Sequence, residues 1–161
     1  MTTGKLDRGE VTKKKSTETQ LAISQLSIGA FFFACRSCEY LKVPQAEKRR
    51  TDILCLSNVC FFRNLSELKH NNPWLEYADY VAITLDWQKK DEIMDTVTHM
   101  ASKDPLLCPV CQWSSVVRII WDYAGVTSET PVYAVWRYDR IKHIKSEELT
   151  NSLQKAVIAI R

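Results

Sequence analysis

No apolar run in this sequence approaches the roughly 20 residues that a bilayer-spanning helix requires, so no membrane partner is expected of its 161 residues. The N-terminus is polar and charged, and no secretory signal is visible. Charge of one sign is scarce too: 22 lysines and arginines stand against 19 aspartates and glutamates, a formal +3. That balance permits a nucleic-acid partner without implying one. The six cysteines, without a signal peptide, read as reduced thiols of an intracellular protein. It would be nuclear in a eukaryote and cytoplasmic otherwise.

What is present is an ordinary globular composition, 45% hydrophobic and 25% charged. A chain of this length buries one good core, so one domain is expected over residues 16–161, behind a flexible basic tail at 1–15. Positive charge is concentrated in Lys13-Lys14-Lys15 and in Lys48-Arg49-Arg50. A phosphate backbone would attract both clusters, and both also suit a solvated surface. Four of the cysteines form Cys-x-x-Cys pairs, Cys35/Cys38 and Cys108/Cys111. The pairs lie much farther apart than the roughly 15–20 residues of a paired-knuckle zinc site. The first pair also sits in a dense apolar segment, so buried thiols are favoured over a metal, and no cofactor is expected.

The pattern along the chain predicts an α+β fold. Thr17 and Gln20 look like a capping box, so a helix should start near Glu18. Leu21, Leu26, Ile28, Phe31, Phe32 and Cys35 give it a broad apolar face, and one helix or two should cover about 18–42, closed by Pro44. Residues 52–62 alternate partially and suggest a strand. The polar tract from Arg63 to Pro73 reads as a hairpin tip or loop. Tyr80–Trp87 has good strand propensity, residues 88–92 form a charged tip, and Asp95–His99 is a short third strand. Together these predict a three-stranded antiparallel meander. A helix should open around Cys108-Pro109, with Val110, Trp113, Val116, Val117, Ile120 and Trp121 on its apolar face. Residues 130–136 read as a short extended segment or a loop. A last helix should be capped by Ser146, with Glu147 and Glu148 at the positive end of its dipole. The five tryptophans are candidates for base stacking, with core packing the favoured role.

The longest apolar stretch, Ser27–Leu41, is interrupted by a single arginine, Arg36. A guanidinium in such surroundings needs an anionic partner, either Glu39 three residues on or a ligand from outside. Ala34-Cys35-Arg36-Ser37-Cys38-Glu39-Tyr40-Leu41 resembles the first arginine box of the tyrosine recombinases (phage-integrase family). That box usually reads Gly-apolar-Arg-x-Ser/Gly-Glu-apolar at a helix–helix junction. Here Ala34 stands in place of the usual glycine. The resemblance extends over about residues 17–160, with Lys89 and Lys90 at a strand-to-strand tip and Leu107-Cys108-Pro109-Val110 opening a helix.

The resemblance implies a truncated DNA breaking-rejoining catalytic domain whose partner is double-stranded DNA. By motif position, Arg36 would grip the non-bridging phosphate oxygens. Lys89, or Lys90 as fallback, would be the general acid toward the 5′-oxygen leaving group, and Glu39 would support the arginine box. Lys48, Arg49, Arg50 and Lys90 would contact DNA. The family's His-x-x-Arg box does not occur here, since His70, His99 and His143 lead into other sequences, and no tyrosine follows Tyr138. The implied function is DNA binding derived from recombination or integration by a mobile element, without strand cleavage by this chain alone. The alternatives are a structural or protein-interaction remnant and, behind it, a zinc module using Cys35, Cys38, Cys108 and Cys111. A front portion should leave apolar surface bare around Leu149, Leu153, Val157 and Ile160. Self-association, or a second chain supplying further helices, is then expected.

Overall fold

The computed structural model describes residues 8–35, 40–41, 53–87 and 93–159. Among these, helix α1 (Arg8–Phe32) precedes strands β1 (Val59–Arg63), β2 (Ser66–Leu68), β3 (Tyr80–Trp87) and β4 (Ile93–Met100). Helix α2 (Pro109–Trp121), strands β5 (Ala134–Arg137) and β6 (Arg140–His143), and helix α3 (Ser146–Ala159) follow. The class is mixed α+β: three helices, a four-stranded antiparallel sheet and a two-stranded one. No helix among the described residues is long and apolar enough to cross a membrane.

The sheet runs β2-β1-β3-β4, with Val59 opposite Ile83 and Phe61 opposite Val81 on neighbouring strands. All four of these side chains are buried. They belong to one face by the two-residue period of a strand, and that face shares its core with Val110, Trp113 and Val117 of α2. On the other face Phe62 stacks on Tyr80 at 4.9 Å, and the hydroxyls of Thr84 and Thr96 meet at 3.0 Å.

This sheet has one strand more than the three-stranded meander that the pattern predicts. The extra strand, β2, lies inside the polar tract expected to be a hairpin tip. Three residues are too few to display a period, and only Leu68, opposite Phe61, is apolar. The turn before it is tight, with Asn64 and Leu65 both at positive φ (50° and 64°). The strand expected over 52–62 is also cut short. Leu54 and Leu56 bond instead to the segment around Pro131, through Val132 N–H to Leu54 O and Leu56 N–H to Thr130 O, each at 3.0 Å. Asn58 Oδ1 accepts the Cys55 N–H at 2.8 Å, which bends the chain before β1 begins.

Helix α2 matches its apolar spacing: Val110, Trp113, Val116, Val117 and Ile120 are all buried. Cys108 is its N-cap and Pro109 its first residue, where a missing N–H costs nothing. Helix α1 starts at Arg8 rather than near Glu18, taking in residues 8–15 of what reads as tail. Those residues carry no apolar period, but lysine, arginine and glutamate are good helix formers, and extending an existing helix is far easier than nucleating one.

Helix α3 begins at Ser146, but its cap is Glu148, whose Oε2 accepts the Lys145 N–H at 2.9 Å. The apolar side expected to be bare is only partly so. Leu149 is buried, Leu153 and Ile158 are exposed, and Ile160 lies outside the described residues. The segment at 130–136 is not a loop throughout: β5 pairs with β6 across a turn of Tyr138 and Asp139, both at φ 56°.

Candidate nucleic-acid interface

The end of α1 leads into the segment that carries Arg36. Phe33, just beyond the helix, is buried between His99 of β4 (ring centroids 4.6 Å apart) and Trp113 of α2 (6.2 Å). The helix stops through paired backbone bonds: Cys35 N–H to Ala30 O and Ala34 N–H to Phe31 O, both at 3.1 Å. This is a Schellman motif, and it requires a left-handed residue at its penultimate position. Ala34 occupies that position with φ 50°. Glycine adopts this conformation without the clash that a Cβ brings.

Arg36 and Glu39, two and five residues past Ala34, lie outside the described residues, as do Cys38, Lys48, Arg49 and Arg50. Lys89 and Lys90 also lie outside them. Their flanks are described: β3 and β4 are antiparallel neighbours, and their pairing reaches Trp87 opposite Ile93. The charged segment 88–92 is therefore the connection between two paired strands, as its sequence position implies.

All three histidines have structural partners, His143 packing edge-on against Tyr133 with ring centroids 5.1 Å apart. His70 Nε2 lies 2.7 Å from the Val59 carbonyl oxygen, and its ring is 5.3 Å from that of Trp121. His99 lies against Phe32 and Phe33. Among the described residues no group of three or more His, Cys, Asp or Glu side chains is placed to hold a metal ion.

Trp113 is fully buried, in keeping with core packing, but Trp74 is 55% exposed and corrects that expectation for its position. It stands beside Tyr77, with the Arg63 guanidinium 5.8 Å from its ring centroid. The signal was its setting, since Asn71-Asn72-Pro73 before it is a turn sequence rather than a core one. Leu65, Tyr77 and Met100, all exposed, line a groove of about 770 Å³ beside this cluster, with Cys108 and Cys111 in its wall.

Comparison with known proteins finds no family model, no curated protein and no solved structure that matches the chain.

Proposed function

We propose that these residues bind double-stranded DNA as the front portion of a tyrosine recombinase-like catalytic domain. The observation that carries this reading is Ala34. It ends α1 in a left-handed conformation two residues before Arg36, at the box position where the family has glycine. A left-handed helix stop favours glycine, which is the residue the family usually has at this box position.

In this reading Arg36 binds the non-bridging oxygens of one phosphate, with Glu39 as its support. Lys89, or Lys90, reaches the same phosphate from the β3–β4 connection. Lys48, Arg49 and Arg50 take neighbouring phosphates. The 161 residues hold neither His-x-x-Arg nor a tyrosine beyond Tyr138, and the function proposed for them is binding rather than strand cleavage.

The test is a duplex-DNA titration at two salt concentrations, with Arg36→Ala alongside. Binding should weaken with salt, by a slope of about −0.9 in log K per neutralised phosphate, and Arg36→Ala should weaken it further. No binding at low salt, or an affinity indifferent to salt and to Arg36, would overturn the proposal.

A second reading, a protein-interaction surface, is favoured by the exposed Leu65, Tyr77 and Met100 along one groove. It predicts association that persists in high salt, which sedimentation at two salt concentrations measures.

A further inference from the structure

Cys108 and Cys111 are held together by the start of α2. Cys108 is the N-cap, and its Sγ accepts the Cys111 N–H at 3.4 Å and the Ser102 N–H at 3.3 Å. Cys108 Sγ therefore lies against the backbone of Cys111 at the first turn of the helix. Both residues line the groove that also reaches Asp79, Met100 and Ser102. Cys108 itself is only 1% exposed, which admits a small oxidant and excludes a bulky one.

We propose that Cys108 and Cys111 form a peroxide-responsive dithiol, in which Cys108 is the nucleophile and Cys111 resolves it to a reversible disulfide. This site is independent of the DNA-binding reading and uses none of its residues.

The chemistry balances with hydrogen peroxide as the oxidant. The Cys108 thiolate attacks one peroxide oxygen; an S–O bond forms, the O–O bond breaks, and hydroxide leaves, taking up the proton that the thiol had released. Cys108 is now a sulfenic acid. The Cys111 sulfur attacks it; the S–S bond forms, the S–O bond breaks, and the departing oxygen leaves as water with the Cys111 proton. Two thiols are oxidised to one disulfide while one peroxide is reduced to two waters.

The division of roles follows from the surroundings. Burial pushes the Cys108 thiol up, but the donors around it outweigh burial: the N–H groups of Cys111, Ser102 and Val110 and the Cys111 thiol bring it below its ordinary value. A thiolate is the attacking form. Burial, the hydrogen bond to Cys108 and the nearby Cys108 and Glu76 charges push Cys111 up to about 11, so it remains protonated until Cys108 has reacted. Cys60 supplies an internal control, because burial and the charge and hydrogen bond of Glu67 all push it up, to about 11. The lowered Cys108 thiol holds the larger thiolate fraction, and its lower basicity offsets only part of that advantage.

The test uses the full chain, reduced, freed of reductant, exposed to hydrogen peroxide, quenched with N-ethylmaleimide in guanidinium chloride so that buried thiols are reached, and digested with trypsin. The peptide Asp104–Arg118 contains both cysteines and no other. It should lose both maleimide labels and two hydrogen atoms several-fold faster than Cys60 loses its label, and dithiothreitol should restore both thiols. In Cys111→Ser, dimedone added together with guanidinium chloride, which exposes the buried site, should trap the sulfenic acid on Cys108. Any of three results would overturn the proposal: Cys108 and Cys111 still labelled after Cys60 has oxidised, a disulfide joining two copies instead, or no dimedone adduct on Cys108 in the variant.

Discussion

Gly29 of α1 lies directly against the indole of Trp113 of α2. A Cβ added at Gly29 would stand 2.9 Å from Trp113 Nε1 and 3.1 Å from Cε2. Trp113 is fully buried, so its ring cannot swing aside, and glycine at this crossing sets how closely the two helices approach.

Gly29→Ala is accordingly expected to destabilise the protein. Alanine gains about 1 kcal/mol in helix propensity, but overpacking a buried contact costs about 1–3 kcal/mol. A net loss of about 1 kcal/mol should appear in urea unfolding. Trp113→Phe removes the crowding atom, so in the double variant the added methyl should cost less than it does alone. An additive double variant would show that the two residues do not compete for one space.

Ala34→Gly should have the opposite sign. Ala34 holds φ 50° at the helix stop, where the Cβ clash costs about 1–2 kcal/mol. Glycine returns about 0.4–1 kcal/mol of that through the greater freedom of the unfolded chain. A gain of about 0.5–1 kcal/mol should appear as a higher unfolding midpoint with an unchanged slope. A loss would mean that the left-handed turn is not the ground state.

Glu148 joins two tasks. Oε1 accepts from Arg137 Nη1 at 2.6 Å while Oε2 caps α3 at the Lys145 N–H. Arg137 Nε donates in turn to Thr19 Oγ1 at 3.3 Å. Glu148→Ala loses both acceptors, and a cap alone is typically worth about 1 kcal/mol. With both side chains of the ion pair partly exposed, the pair adds only a fraction more. A total loss of about 1–2 kcal/mol is expected in thermal or urea unfolding, and Glu148→Gln should recover part of it.

Alkaline stability follows from Cys60, whose thiol burial and Glu67 push from 9.0 to about 11. The folded state holds its proton more tightly than the unfolded chain does. The stabilising contribution is therefore complete below about pH 9 and is lost as the pH rises toward 11. Melting temperature measured across that window should fall, and Cys60→Ala should flatten the fall.

For DNA binding, neutralising Lys48, Arg49 and Arg50 together should lower the steepness of the salt dependence by about 2–3 in log–log slope. An unchanged slope would remove these three residues from the interface.

The parts of the fold legible in the sequence are those whose burial repeats with a period. Val110, Trp113, Val117 and Ile120 recur at helical spacing, and Tyr80–Trp87 is a strand by composition alone. The parts that were not legible carry no such period. Residues 8–15 are polar, and β2 has one apolar residue. The β5–β6 hairpin turns on Tyr138-Asp139 rather than on the Asn-Gly that announces such turns. Of the candidate site, Arg36, Glu39, Lys89 and Lys90 lie outside the described residues, and only its flanks compare with the sequence: Ala34 ends α1, and β3 pairs with β4. The contrast between Cys108 and Cys111 was not legible. Their spacing suggests a metal, and only the N–H donors at the helix start give one thiol a character different from the other.

The bond from Arg137 to Thr19, and that from Gln20 Nε2 to Ser152 Oγ, join parts of the chain 118 and 132 positions apart. During synthesis the first part emerges from the ribosome long before its partners exist. The sheet and the α1–α2 contact can form while translation continues, but Thr19 and Gln20 must wait for Arg137 and Ser152. Contacts between such distant positions are slow to close. The turn of α1 around Thr19 and Gln20 is therefore a surface that a nascent chain leaves open late, and a place where a chaperone would find it.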